Sequence, residues 1–408
     1  MSAGFAAADV AVSGSAKMGV VSTNGTAAFK NKAVISFKGT GTTDGGLAFG
    51  AGFDADDAVA AEGTGTSGSA FISGAFGKIT MGSVASGDSA AVGQLASVGF
   101  NGLESGNSIG YAADASASTG LPGSSDTVSA ARVLYTYSAG ALTINASTAQ
   151  LSPAAGGPTA YGIGGSYTTG GLTMAVGYGA VDGLTTTGIK AYDIAGTAGD
   201  AGVAAVYGAI TTTTGTGVLV TAPVAAVTSG WYETKPLNAT VTDISLSATY
   251  VMDNTTIKAI YQNKTIEASA TARTDVEQVI TGTLLTTAIG TAGVHGHGAI
   301  NLSTTATSMG LSVVQKMDAL SLTAYGINTT VDAAADLSSD NPTVSRYGIG
   351  FGYDLGGGAS FSAGWATIDA MVATAIVPSS TPTTAVLETY TLTSVSADTW
   401  DLGLNFSF

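Results

Sequence analysis

Cysteine is absent from the 408 residues, and histidine occurs twice. Without thiols there are no disulfides, no thiolate nucleophile and no cysteine-ligated metal. The two histidines, His295 and His297, sit in a glycine-rich stretch. The sequence has no H-E-x-x-H pair, no Ser-His-Asp order and no phosphate-binding loop, so no enzyme is expected. Charge is scarce: Asp, Glu, Lys and Arg make up 10% of the chain, against about a quarter in an ordinary soluble domain. The balance is acidic, with 28 carboxylates against 13 Lys and Arg and a formal net charge of −15. Neutralising nucleic-acid phosphates takes clustered cations, so that class of partner is disfavoured. No run of about 18 apolar residues is present either, which excludes a transmembrane helix.

What remains is apolar and small: 45% hydrophobic residues and 58 glycines, with a mean hydropathy of +0.34. High apolarity without charge and without a helical span points to a lipid-facing β-barrel. A large soluble β-sandwich or a Gly/Ala/Thr-rich solenoid, acting as an adhesive or array-forming surface protein, shares that composition. Patterning is more telling than composition. Val10, Val12, Ala16, Met18 and Val20 alternate with Ser13, Ser15 and Lys17. Phe29, Ile35 and Phe37 alternate with Lys30, Lys32, Ser36 and Lys38. Trp400, Leu402, Leu404, Phe406 and Phe408 alternate with Asp401, Gly403, Asn405 and Ser407. A period of two puts one face to oil and the other to water, and a one-residue slip would invert it.

Sixteen such strands are predicted: 10–21, 26–38, 47–54, 70–74, 78–82, 132–138, 142–149, 160–167, 172–181, 242–250, 256–264, 307–316, 320–329, 345–354, 360–368 and 399–408. Tight turns at Phe76-Gly77, Ala139-Gly140, Thr169-Gly170-Gly171, Asp253-Asn254, Met317-Asp318 and Gly356-Gly357-Gly358 supply residues that tolerate positive φ. They alternate with long connections at 83–129, 182–241, 265–306 and 369–398, as in a barrel with short turns at one rim and long loops at the other. An extra hairpin near Val203–Ile210 would raise the count to eighteen. Residues 1–8 read as the remnant of an export signal, with Ala6-x-Ala8 before Asp9 as a cleavage site, and 9–408 as a single all-β antiparallel transmembrane barrel. The segment 83–129 has no sustained period and is rich in Gly, Ala and Ser. It is predicted to fold inward and narrow the barrel, since a structureless stretch of that length is usually functional.

Several segments together resemble one family. They are Ser13-Gly14-Ser15-Ala16-Lys17-Met18-Gly19-Val20, Leu47-Ala48-Phe49-Gly50-Ala51, Ser73-Gly74-Ala75-Phe76-Gly77-Lys78-Ile79-x-Met81-Gly82, Leu134-Tyr135-Thr136-Tyr137-Ser138-Ala139-Gly140-Ala141, Tyr353-Asp354-Leu355-Gly356-Gly357-Gly358-Ala359-Ser360 and the terminal Asn405-Phe406-Ser407-Phe408. In order from Val10 to the last residue, they are similar to the general-diffusion porins of alphaproteobacteria. The resemblance implies a homotrimer in the bacterial outer membrane, each barrel enclosing a water-filled pore for small hydrophilic solutes and ions. It implies that the third external loop, here 83–129, forms the constriction, with loop acids facing basic residues on the wall.

Carried over by position, the basic wall is Lys17, Lys30, Lys32, Lys38, Lys78 and Arg132, and the loop acids are Asp88 and Glu104. The loop departs from the family, because Ser89, Gln94, Ser97, Asn101 and Gly102 stand where the family has carboxylates. A weak or mildly anionic selectivity is therefore expected despite the net charge. No cofactor is required. Calcium is a candidate ligand for the external-loop acids Asp54, Asp56, Asp57 and Glu62, since hard oxygen ligands suit it. An acidic outer rim held by divalent ions also suits lipopolysaccharide, and the outer-membrane lipid is the expected surroundings of the barrel.

Overall fold

The computed structural model describes residues 9–56, 68–100, 103, 106–114, 131–151, 157–193, 231–270, 273–277, 293–297, 300–333, 343–376 and 389–408. In chain order the strands are β1 (Asp9–Thr23), β2 (Thr26–Thr42), β3 (Ala48–Asp56), β4 (Gly68–Gly74), β5 (Gly77–Gly82), β6 (Arg132–Ala139), β7 (Leu142–Gln150), β8 (Thr159–Thr169), β9 (Leu172–Asp193), β10 (Trp231–Met252), β11 (Thr255–Ala270), β12 (Arg273–Glu277), β13 (Gly293–His297), β14 (Ile300–Met317), β15 (Leu320–Ala333), β16 (Thr343–Gly356), β17 (Ala359–Ile376) and β18 (Thr389–Ser407). A short helix, α1 (Gly87–Val92), lies between β5 and β6.

Sixteen of these strands close into one barrel in which every neighbour is antiparallel. The ring is sealed by β1 against β18, from Ser15 opposite Ser407 to Thr23 opposite Thr399. Closure leaves no sheet edge exposed to lipid, where an unpaired backbone group would cost several kcal/mol. An open solenoid is therefore not the architecture.

Alternation sets the faces. Val10, Val12, Met18, Phe29, Ile72, Ile79, Met81, Ile163, Ile244, Met309 and Ile349 are exposed on the outside, as befits side chains that meet lipid. Phe37 stacks on Phe53 directly across from it, with ring centroids 5.2 Å apart. Aromatic side chains stand exposed near both rims: Tyr137, Tyr167, Tyr250 and Tyr353 close to the tight turns, and Tyr161, Tyr178, Trp365 and Trp400 nearer the loop end. Two such belts match the two interfaces of a bilayer.

The tight turns have the expected backbone. Gly140, Gly170, Asp253, Asp318 and Gly357 all have positive φ. Asn24 and Gly25 (φ 50° and 81°) make a further two-residue turn between β1 and β2, at the loop end.

Three of the long connections are shorter than the sequence implies. β9 and β10 run on to Asp193 and back from Trp231, paired as far as Trp231 opposite Asp193. β17 and β18 pair out to Ile376 opposite Thr389. Threonine-rich strand ends such as Thr185-Thr186-Thr187 hold a β conformation but lack an apolar face, so the period-two signal fades while the strand continues. Inside 265–306, β12 and β13 form a separate two-stranded ribbon, so the backbone of His295 and His297 is strand rather than loop. The Val203–Ile210 segment lies outside the described residues.

Candidate functional site

The buried apolar cluster of this molecule lies in the barrel's lumen, where a loop is packed on the wall. The cluster joins Val92, Leu95, Val98, Leu103, Ile109 and Tyr111 of the β5–β6 loop to Ala175, Ile260, Tyr325, Ile327 and Ala366 of the wall. Ile260, Tyr325 and Ile327 occupy inward positions that alternation would reserve for polar groups, and they mark the loop's footprint.

Glycines let the loop approach so closely. On β8 and β9, Gly162 faces Gly179 and Gly164 faces Gly177 across the ladder, and all four point inward under α1. A Cβ on Gly164 would stand 2.6 Å from the Ala91 Cβ and 2.7 Å from the Gly87 carbonyl oxygen. One on Gly177 would stand 2.9 Å from the Asp88 Cα. Ordinary carbon contacts are about 3.5–4.0 Å, so only glycine admits the helix here. The loop tip has a second such bed: a Cβ on Gly350 would meet the Gly99 nitrogen at 3.0 Å, and one on Gly364 would meet it at 2.6 Å.

Wall cations then hold the loop by its main chain. Arg132 of β6 donates Nη1–H to the Val84 carbonyl (2.6 Å) and Nη2–H to the Ala113 carbonyl (2.7 Å). It also lies 3.4 Å from the Asp114 carboxylate. Lys258 donates to the Val92 carbonyl (2.6 Å), Lys264 to that of Gly110 (3.4 Å), Arg346 to that of Ser108 (2.8 Å) and Lys17 to that of Phe100 (3.5 Å). The loop is also laced to itself. Gln94 donates to the Ile109 carbonyl (2.9 Å) and accepts from the Ile109 N–H (2.8 Å). An amide does both, whereas a carboxylate has no proton to give, so Gln suits position 94. Asn107 donates to the Leu95 carbonyl (2.5 Å), and the Tyr111 hydroxyl donates to that of Gly93.

The sequence-predicted basic residues separate into three groups. Lys17 and Lys32 are direct cross-strand partners, and Lys30 lies opposite Gly19. A Cβ on Gly19 would meet the Phe100 ring, so these three lysines stand at the level of the loop tip. Lys38 and Lys78 lie toward the tight-turn rim, both exposed, with the Lys78 ammonium 4.4 Å over the Phe71 ring. Arg132 anchors the loop's root. Asp88 does not look across the lumen at the lysines. The helix turns it onto the glycine bed, where its residue is 0% exposed and neither carboxylate oxygen has a hydrogen-bond partner. Glu104 lies outside the described residues.

Burial raises the Asp88 pKa from 3.8 to about 6, and the nearby charges of Asp243 and Asp114 add to the rise. The adjacent Ser86 hydroxyl opposes it, although that hydroxyl is itself without a well-formed hydrogen bond. Tyr111 is likewise pushed above the usual phenol range by burial and by the Asp88 charge.

Sequence reasoning missed Asp243, Lys258, Lys264 and Arg346. Asp243 is buried on β10 and accepts from the Ala112 N–H (2.7 Å), Ser245 Oγ–H (2.6 Å) and Gln262 Nε2–H (3.1 Å). All four sit on the inward face by alternation, but alternation says nothing about their height in the barrel.

A closed barrel of sixteen strands has its third loop-end connection docked inward. The family model described as Gram-negative porin matches residues 1–283, more than two thirds of the chain. This chain belongs to that family. A porin of Rhodobacter capsulatus is 37% identical over 182 residues, covering 43% of this chain and 57% of that protein, so the alignment spans just over half of that relative. A solved porin structure, refined at 1.8 Å, superposes with a TM-score of 0.60 at 25% identity, covering 98% of this chain and all of the other. OmpT of Vibrio cholerae, described as a trimer form, superposes at 0.59 with 12% identity, covering 98% of this chain and 100% of that one, a likeness of fold alone. The family places this porin in the bacterial outer membrane.

Proposed function

We propose that this porin is a passive, water-filled channel for small hydrophilic solutes and ions, narrowed by the 83–129 loop and working as a homotrimer. The observation that carries this reading is a loop seated within a closed barrel on glycine beds and held by five wall cations through its main-chain carbonyls. A loop fixed in that way narrows the lumen, and sieving follows from its aperture and lining charge.

Selectivity is weakly anionic. Asp88 is buried, Asp114 is paired with Arg132, and Lys17, Lys30 and Lys32 gather at the loop tip. Asp88 and Asp114 are the only acids among the described residues of the loop, which supports a positive local potential inside a protein of net charge −15. The trimer, lipopolysaccharide as a neighbour and calcium on the external loops rest on the family resemblance. Among the described residues no three Asp, Glu or His converge on a metal site, so a calcium site would draw on acids such as Asp57 and Glu62 outside them. Single-channel recording in planar bilayers tests the reading: conductance in steps of three and a reversal potential toward anions in a salt gradient support it. A clear cation preference would refute the selectivity, and no conductance would refute the channel.

A further inference from the structure

The carboxylate of Asp88 makes no hydrogen bond to the wall, yet it is the one charged side chain of α1 and is wholly buried. Beneath α1, a Cβ on Gly179 would strike Asp88 Oδ2 and stand 2.6 Å from Asp243 Oδ1. The two carboxylates therefore converge on the same point above one glycine. Asp243 has its oxygens satisfied by Ala112, Ser245 and Gln262. Those of Asp88 have no partner. Two converging buried carboxylates, one without donors, are stable when one carries a proton, because desolvation and like charge both oppose the second ionisation.

We propose that Asp88 and Asp243 form a proton-operated latch that seats α1 on its glycine bed, so that protonation of Asp88 holds the constriction loop and ionisation loosens it. This rests on the channel reading above. The other charged and titratable groups facing the helix are few. The β6 wall offers Arg132 and the returning loop offers Asp114, which are paired with each other, and Tyr111. β10 offers Asp243, and β11 offers Lys258 on the Val92 carbonyl and Lys264 on the Gly110 carbonyl. β7, β8 and β9 present Asn145, Ser147 and glycines to α1. No cation among these reaches Asp88 to take over from the proton.

The sign follows from where the proton binds more tightly. With the loop docked the Asp88 pKa is about 6 against an ordinary 3.8. Docking is strongest below pH 4, weakens as pH rises through 6, and stays weakened above it by about 100-fold in the docking equilibrium. Wild-type channels in planar bilayers are expected to show more closures and more open-channel noise at pH 7.5 than at pH 4.5. Asp88→Asn, neutral at every pH, is expected to remain quiet at both. Asp243→Asn removes the like charge and is expected to move the wild-type transition to lower pH. Both histidines, ordinarily titrating near 6.5, are kept in both variants, so a transition that persists unchanged in Asp88→Asn overturns the latch. So does a wild type whose noise is flat from pH 4.5 to 7.5. Absence of current at any pH would instead sink the channel reading.

Discussion

Replacing Gly164 by alanine tests whether the loop's position is set by the wall beneath it. The added Cβ would lie 2.6 Å from the Ala91 Cβ, 2.7 Å from the Gly87 oxygen and 3.1 Å from the Val176 oxygen. Two of these belong to α1 and one to the strand backbone, so the strand cannot yield and the helix must move by about 1 Å to recover a normal carbon contact. That shift stretches the Gly87 N–H to Ser147 Oγ bond (2.8 Å) and the Lys258 contact to Val92 (2.6 Å). Overpacking of this kind costs about 1–3 kcal/mol, taken from docking of the loop and not from closure of the barrel. The neighbouring residue is a matched control. Gly165 faces outward, and a Cβ there meets only the Thr143 oxygen at 3.6 Å, an ordinary contact. Single-channel conductance should fall or become noisy in Gly164→Ala, stay at the wild-type value in Gly165→Ala, and leave the heat-modifiable gel migration of both barrels unchanged. Identical traces from the two variants would refute the idea that glycines position the constriction.

Two further perturbations address the cations. Arg132→Ala removes both carbonyl contacts and the Asp114 pair at the loop's root. Charge-assisted bonds of this kind are worth about 1.5–3 kcal/mol each, so the variant should show faster proteolysis within the loop, and Arg132→Lys should not rescue it, because a single ammonium lacks the two-pronged reach of a guanidinium. Lys30→Glu with Lys32→Glu should move the zero-current potential in a salt gradient toward cations, and no movement would mean that the loop-tip lysines do not set selectivity.

The strands were legible because every one of them has to alternate. All sixteen barrel strands overlap segments read from period two and the turns between them, and the final strand from Trp400 onward keeps its register against both β1 and β17. Strand length was not legible where threonines replace apolar residues, as in Thr185-Thr186-Thr187. Nor was the loop's seat. Gly162, Gly164, Gly177 and Gly179 are spaced by two on facing strands, and glycine inside a strand is a known sign of close backbone approach. Their meaning depends on which strands are neighbours, which a single strand does not state. Tyr325 and Ile327 on an otherwise polar face carried the same message. α1 was missed for a different cause: six residues, Gly-Asp-Ser-Ala-Ala-Val, are too short for a helical period to show.

The scarcity of acids on the loop, read from the sequence as a weak or mildly anionic selectivity, has a structural counterpart in how the loop is fastened. Lys17, Arg132, Lys258, Lys264 and Arg346 all donate to main-chain carbonyls. A carbonyl is present whatever side chain the residue bears, so these five contacts do not depend on the side chains at 89, 94, 97, 101 and 102, and those positions are free to become Ser, Gln or Asn. It also changes what the wall cations do. A lysine neutralised by a loop carboxylate contributes little to the field in the pore, whereas one bound to a carbonyl dipole keeps its full charge. A porin fastened in this way gains positive potential at its constriction as the loop loses acids, while the same loop stays equally well held. Mechanical anchoring and charge selectivity are thereby uncoupled: Lys30→Glu with Lys32→Glu should alter selectivity without loosening the loop, and Gly164→Ala should disturb the loop without altering the sign of selectivity.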